Sequence, residues 1–157
     1  MATSAQAISV SAMKELTIAL LMWITSNTPL AYDGSHAPDV IHVSHKQLVQ
    51  ILYEGNVARG IDADRVSVAG LYNFRDGKVY LLDDVDLDTV EGRAVLVHEL
   101  VHYLQYYHGI DQTAECMRKL EGQAYETQAN YLIAYGKESP FSELHVLMIS
   151  NCWPMNL

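Results

Sequence analysis

The segment from Ala94 to Leu104 is apolar nearly all the way round a helix, yet it holds His98, Glu99 and His102. A helix of that composition folds into a core, so any fold this chain adopts has to bury three ionisable groups. Each is costly if left without a partner, and one bound cation satisfies all three. The spacing suits that solution. Positions i and i+4 lie about 40° apart around a helix, so both imidazoles project into one small volume before any tertiary contact forms. Glu99 points about 100° away from His98, too far round for a comfortable ligand but placed to touch a water on the cation. His98-Glu99-Leu100-Val101-His102 thus forms an HExxH arrangement with Glu99 in the position of a general base.

A chain of 157 residues with no low-complexity stretch and no long linker is expected to form a single domain over 1–157. At that length it buries about two-thirds of its unfolded surface, so a cation is not needed merely to hold it together. Acidic residues outnumber basic ones by 19 to 10, for a formal charge of −9. That charge argues against a nucleic-acid partner and leaves a mild preference for neutral or basic substrates. No stretch reaches the roughly 20 uncharged apolar residues of a membrane span, which predicts a soluble protein.

Cys116 and Cys152 are the only cysteines and form no CxxC pair, so a thiolate metal site is not expected. They either pair as a disulfide, which would imply an oxidising compartment, or remain two buried thiols. The opening residues Ala2 to Ala7 resemble the small-residue end of a signal peptide, although nothing long and apolar precedes them. The location expected is extracytoplasmic, periplasmic or secreted, by a small margin.

Leu16, Ala19, Leu20, Trp23 and Ile24 recur at helical spacing, which predicts a first helix from about Ser11 to Thr25. Val40 to Val43 reads as a short strand, and Ser44 caps a second helix that closes near Gly55. Val66 to Phe74 and Lys78 to Leu82 flank Arg75-Asp76-Gly77, a hairpin signal. Asp88 or Thr89 starts the histidine-bearing helix, which Gly109 stops. Thr113 caps a long helix ending near Gly136, and Phe141 to Asn151 reads as a last one. The pattern is an α+β domain, with helices packed on a small antiparallel sheet.

A catalytic zinc keeps three protein ligands and one open position, so another side chain must complete the set. Glu115, Glu121, Glu126 and His108 are the candidates. On the helix after Thr113, the residues Met117, Leu120, Ala124, Tyr131 and Tyr135 mark an inward stripe that includes Glu121. Glu126 lies about 140° round from it and should face outward, so Glu121 is preferred. The rival reading of Glu121 is a glutamate paired with a buried arginine. Gln128, seven residues on, and Tyr125, one turn on, either orient a ligand or substrate group or are hydrogen-bonded core residues. His108 reads as a helix C-terminal residue in a favourable dipole. His42 and His45 have no motif around them. His145, also without one, is a weak candidate for stabilising an oxyanion.

With HELVHYLQ followed by LEGQAYETQANYL, the chain resembles the gluzincin metallopeptidases, and in detail the small single-domain gluzincin-like bacterial proteins. The resemblance covers two helices, roughly Glu91 to Gly136. It implies zinc as the metal, Glu121 as the third ligand, and a zincin-like fold with an HExxH active-site helix. It also implies a hairpin edge strand, Val68 to Phe74 or Lys78 to Leu82, that lies beside the cleft and binds an extended peptide. One departure is visible. Larger gluzincins carry an aspartate four residues after the third ligand to orient a zinc histidine, and this chain has Tyr125 there. The chain is also too short for their second helical domain, so its pocket should be shallow or completed by the last helix or a partner.

The expectation is a zinc-dependent metallopeptidase acting on a peptide or protein substrate. His98, His102 and Glu121 would bind Zn²⁺, and Glu99 would take a proton from the metal-activated water and pass it to the leaving amine. The alternative is a non-catalytic zinc-binding protein that uses a zincin scaffold as an interaction module. A weaker third reading is a helical protein without metal.

Overall fold

Thr89 starts the apolar helix, its hydroxyl accepting from Gly92 N at 3.0 Å. Gly109, at φ +68°, ends it in the left-handed conformation that a side chain disfavours. The computed structural model describes residues 8–53 and 68–152. Within them the elements are α1 (Val10–Asn27), β1 (Val40–Val43), α2 (His45–Leu52), β2 (Gly70–Asn73), β3 (Lys78–Leu82), α3 (Val90–Tyr107), α4 (Ile110–Thr113), α5 (Met117–Ala134) and α6 (Glu143–Ile149). The Val66 end of the expected strand, the Gly55 closure of α2 and the residues Ala2 to Ala7 lie outside the described residues.

The histidine-bearing helix is α3, and it forms the middle of the molecule. Leu96, Val97, Leu100, Val101 and Leu104 have no solvent exposure. They are covered by α5 on one side, by β2 and β3 on another, and by α1. This is the arrangement that its all-round apolar composition demands. Arg93 ties the start of α3 to α5, donating from Nε to the Tyr131 hydroxyl at 3.2 Å and from its NH1 nitrogen to Leu87 O at 3.0 Å. Trp23 packs edge-on against Tyr131 with centroids 5.0 Å apart, which fixes α1 to the same helix. Ser44 caps α2 in a capping box with Gln47.

The fold is α+β, but the sheet is mixed rather than antiparallel. Its strand order is β1-β3-β2; β2 and β3 form the expected antiparallel hairpin, whereas β1 runs parallel to β3. A parallel neighbour needs a long crossover, and here α2 and β2 both lie between the two strands in sequence. Gly77, at φ +71°, makes the hairpin turn.

Three expected helix features are corrected. Thr113 belongs to the single-turn α4, and α5 begins after Cys116, whose extended backbone is held by its bond to Cys152. Met117 and Tyr135 are exposed, because the two ends of α5 reach past the helix it packs on. The last helix is shorter than expected and is capped by Ser142, which accepts from His145 N at 3.0 Å.

The Cys116–Cys152 disulfide closes a 36-residue separation and draws the chain after α6 back to the start of α5. One turn along α5, a Cβ added at Gly122 would stand 2.2 Å from Ser150 Cβ, so the absence of a side chain lets the end of α6 lie on the α5 backbone. In the chain-entropy account a crosslink over that separation contributes up to about 4 kcal/mol. Replacing both cysteines with serine should therefore lower the melting temperature by on the order of 10 °C, read by calorimetry under oxidising conditions. An unchanged melting temperature would show that the crosslink does not hold α6 in place.

Candidate metal centre

The i, i+4 spacing of His98 and His102 brings their Nε2 atoms to 3.2 Å. Glu121 reaches across from α5, with Oε2 3.4 Å from His98 Nε2 and Oε1 3.2 Å from His102 Nε2. The ligand atoms of these three residues lie within 4.8 Å of one another, and among the described residues they form the one such cluster. Two imidazole nitrogens and a carboxylate oxygen converging on one point make a donor set that fits a divalent cation such as zinc.

Glutamine amides set the direction of both imidazoles. His98 Nδ1 is 3.0 Å from Gln128 Oε1, and His102 Nδ1 is 2.9 Å from Gln105 Oε1. An amide oxygen only accepts, so each Nδ1 carries a proton and each ring turns its Nε2 towards Glu121. Gln105 is itself fixed. It is buried, and its Nε2 donates to Leu120 O at 3.0 Å and to Gln123 Oε1 at 2.9 Å. The orienting groups are thus uncharged, and no carboxylate is needed where Tyr125 stands. Removing such an outer partner costs about 10–100-fold in metal affinity. Gln105→Leu should weaken zinc binding by that factor in a chelator competition, and an unaltered affinity would show that Gln105 merely fills space.

Electrostatics reinforce the convergence. Burial disfavours a charged His102, but the hydrogen bond it donates to Glu121 and the charges of Glu99 and Glu121 outweigh it, so its pKa is raised. Glu121 shows the reverse. Burial alone would raise it, while both histidines hold it well below the usual carboxylate range. The cluster therefore draws positive charge to its centre.

Glu99 is buried beside the cluster and faces the sheet, its Oε2 accepting from Tyr72 N at 2.8 Å. This contact depends on Gly70, where an added Cβ would stand 3.0 Å from Glu99 Cγ and 3.0 Å from Leu81 Cδ2. Since β2 is an edge strand and Tyr72 N–H points away from β3, the Gly70 N–H two residues earlier points the same way.

A cleft of about 920 Å³ opens over these groups, with His98, Glu99, His102 and Glu121 on one wall and β2 on the other. Tyr125 lines it and stands edge-on to His98 with centroids 4.5 Å apart. Burial, then the charges of Glu121 and Glu99, raise the Tyr125 hydroxyl, so it stays protonated. Phe141, from the segment before α6, packs on Tyr125 at 4.9 Å. His145 does not line the cleft; it is exposed and stacks on Phe141 at 6.0 Å, so the oxyanion role considered for it is not supported by its position.

Glu115 and Glu126 are exposed and outside the cluster, and His108 caps α3 with its ring against Ala31 O. Gln105, Gly70 and Asp111 are site residues that sequence reasoning missed. Gln105 carried a signal, being the polar residue three positions after His102 on an apolar helix. The two glutamines, α3 and α5 account for the whole cluster.

A family model described as a domain of unknown function, DUF6647, matches residues 9–157. The chain belongs to the DUF6647 family. The match includes α3, α5 and both walls of the cleft, so the cluster lies inside the DUF6647 domain. No curated protein and no solved structure matches this DUF6647 chain. Among the described residues, no helix is long and apolar enough to cross a membrane.

Proposed function

We propose that the protein is a zinc-dependent metallopeptidase with a zincin-like fold, similar to the gluzincins. The observation that carries this reading is the convergence of His98, His102 and Glu121 on one point, with the buried Glu99 carboxylate beside it at the edge of a peptide-sized cleft. His98, His102 and Glu121 would hold the zinc. When bound, zinc polarises a carbonyl and makes water a nucleophile near neutral pH. Glu99 takes the proton of the attacking water and delivers it to the leaving amine. Tyr125, protonated and against His98, would donate to the oxygen on which charge develops. The side of β2 turned away from β3 would offer Gly70 N–H to an extended peptide, which would lie along the strand as an added one. The disulfide supports an oxidising compartment, outside the cytoplasm.

One observation favours a second reading, a zinc-binding module without turnover: Glu99 Oε2 is already engaged by Tyr72 N–H. Elemental mass spectrometry and a peptide-library digest separate the two. About one zinc per chain with cleavage supports the peptidase, and zinc without cleavage supports the module. No zinc after reconstitution sinks both.

Gly70→Ala offers a finer check. Its Cβ would press first on Glu99 and Leu81, so zinc should stay bound while kcat falls on the order of tenfold. A loss of zinc would mean that the substitution acts through the fold instead.

A further inference from the structure

Asp111, on α4, lines the same cleft as His98 and Glu121. Its Oδ1 is buried and has no hydrogen-bond partner, in contrast to every other buried side-chain nitrogen or oxygen among the described residues. A buried carboxylate oxygen without a donor is costly, and it belongs to a residue that lines a cleft rather than the core. The same wall carries Tyr72 and Tyr106, with ring centroids 6.2 Å apart. Burial first, then Tyr106, Asp76 and Asp111, raise the Tyr72 hydroxyl above its usual value, so that ring remains a neutral phenol. Among the described residues no lysine or arginine lines the cleft, although Glu99, Asp111 and Glu121 all do. A divalent cation between the histidines would offset Glu99 and Glu121 and leave Asp111 without a cationic partner among the described residues that line the cleft.

An occupant that satisfies this wall needs a cationic end with hydrogen-bond donors and an apolar stem. The side chains of lysine and arginine have that form, and their stems and charges both suit tyrosine faces. The overall charge of −9 attracts such a ligand from a distance. We propose that Asp111 is the recognition point for a lysine or arginine side chain of a peptide lying in the cleft. The proposal rests on the peptidase reading and names its substrate class.

The test compares peptides that differ at one residue near the cleaved bond, lysine against Nε-acetyl-lysine. The stem is the same and the charge is gone. Wild type should favour lysine by about tenfold or more in kcat/KM, the scale of one charge-assisted hydrogen bond, and Asp111→Asn should bring the ratio close to one. Anisotropy with zinc-loaded Glu99→Gln, with and without Asp111→Asn, reads the same contact without turnover. Asp111→Ala and a thermal melt of each variant identify any loss that comes from unfolding. Cleavage with no preference for lysine, or a preference that survives Asp111→Asn, overturns the proposal and leaves the peptidase reading standing. Charge-dependent binding lost in Asp111→Asn, with no cleavage of any peptide, keeps the cationic subsite and overturns the peptidase reading. Neither cleavage nor charge-dependent binding overturns both.

Discussion

Glu99→Gln should lower peptide cleavage by about 10³-fold while about one zinc per chain remains bound. The substitution keeps the shape of the side chain, and the amide oxygen still accepts from Tyr72 N–H, the contact that Glu99 Oε2 makes at 2.8 Å. What it would lose, on the proposed mechanism, is the ability to carry a proton from water to the leaving amine. Because Glu99 is not one of the three clustered ligands, metal content should not follow activity. Paired measurements of zinc and kcat on one preparation check this. Activity close to wild type in Glu99→Gln would rule out the general-base mechanism, and loss of zinc together with activity would place Glu99 among the ligands.

Glu121→Ala should empty the site, and Glu126→Ala should leave it full. Both remove a carboxylate from α5, but Glu121 stands 3.2 Å from His102 Nε2 and 3.4 Å from His98 Nε2, whereas Glu126 is exposed. Losing a direct ligand should weaken zinc by more than the roughly 100-fold that an orienting partner contributes. Dialysis followed by elemental analysis would then find zinc in one variant and not in the other. Equal zinc in both would move the third ligand elsewhere. Equal loss in both would show that α5 as a whole, rather than Glu121, is what the site requires.

Features set by a few neighbouring residues were legible in the sequence. The Ser44 and Thr89 caps and the Gly109 stop depend on local backbone groups, and each lies where the residue types put it. Glu121 was legible because Leu120, Ala124 and Tyr131 mark the buried side of α5. The stripe failed at Met117 and Tyr135, where periodicity continues but the covering helix does not. The parallel β1–β3 pairing was hidden because register between strands so far apart is set by packing, not by a local signal. Gln105 was missed because orienting groups were sought on the helix of Glu121, as Gln128 and Tyr125, whereas Gln105 lies on the histidine-bearing helix itself. Gly70 gave no sign of its role, since a close approach between a strand and a glutamate from another element leaves no trace in spacing.

The Cys116–Cys152 bond also governs which atoms can compete for a soft metal. Thiolates bind zinc more avidly than carboxylates do, and two of them with Cα atoms 5.8 Å apart, at the head of the helix that bears Glu121, would be a rival chelate. Sulfur joined to sulfur has no thiolate to offer. On the peptidase reading, oxidation would keep zinc with ligands that leave a coordination position for chemistry, and an ion delivered before the bond closes would be trapped where it does nothing.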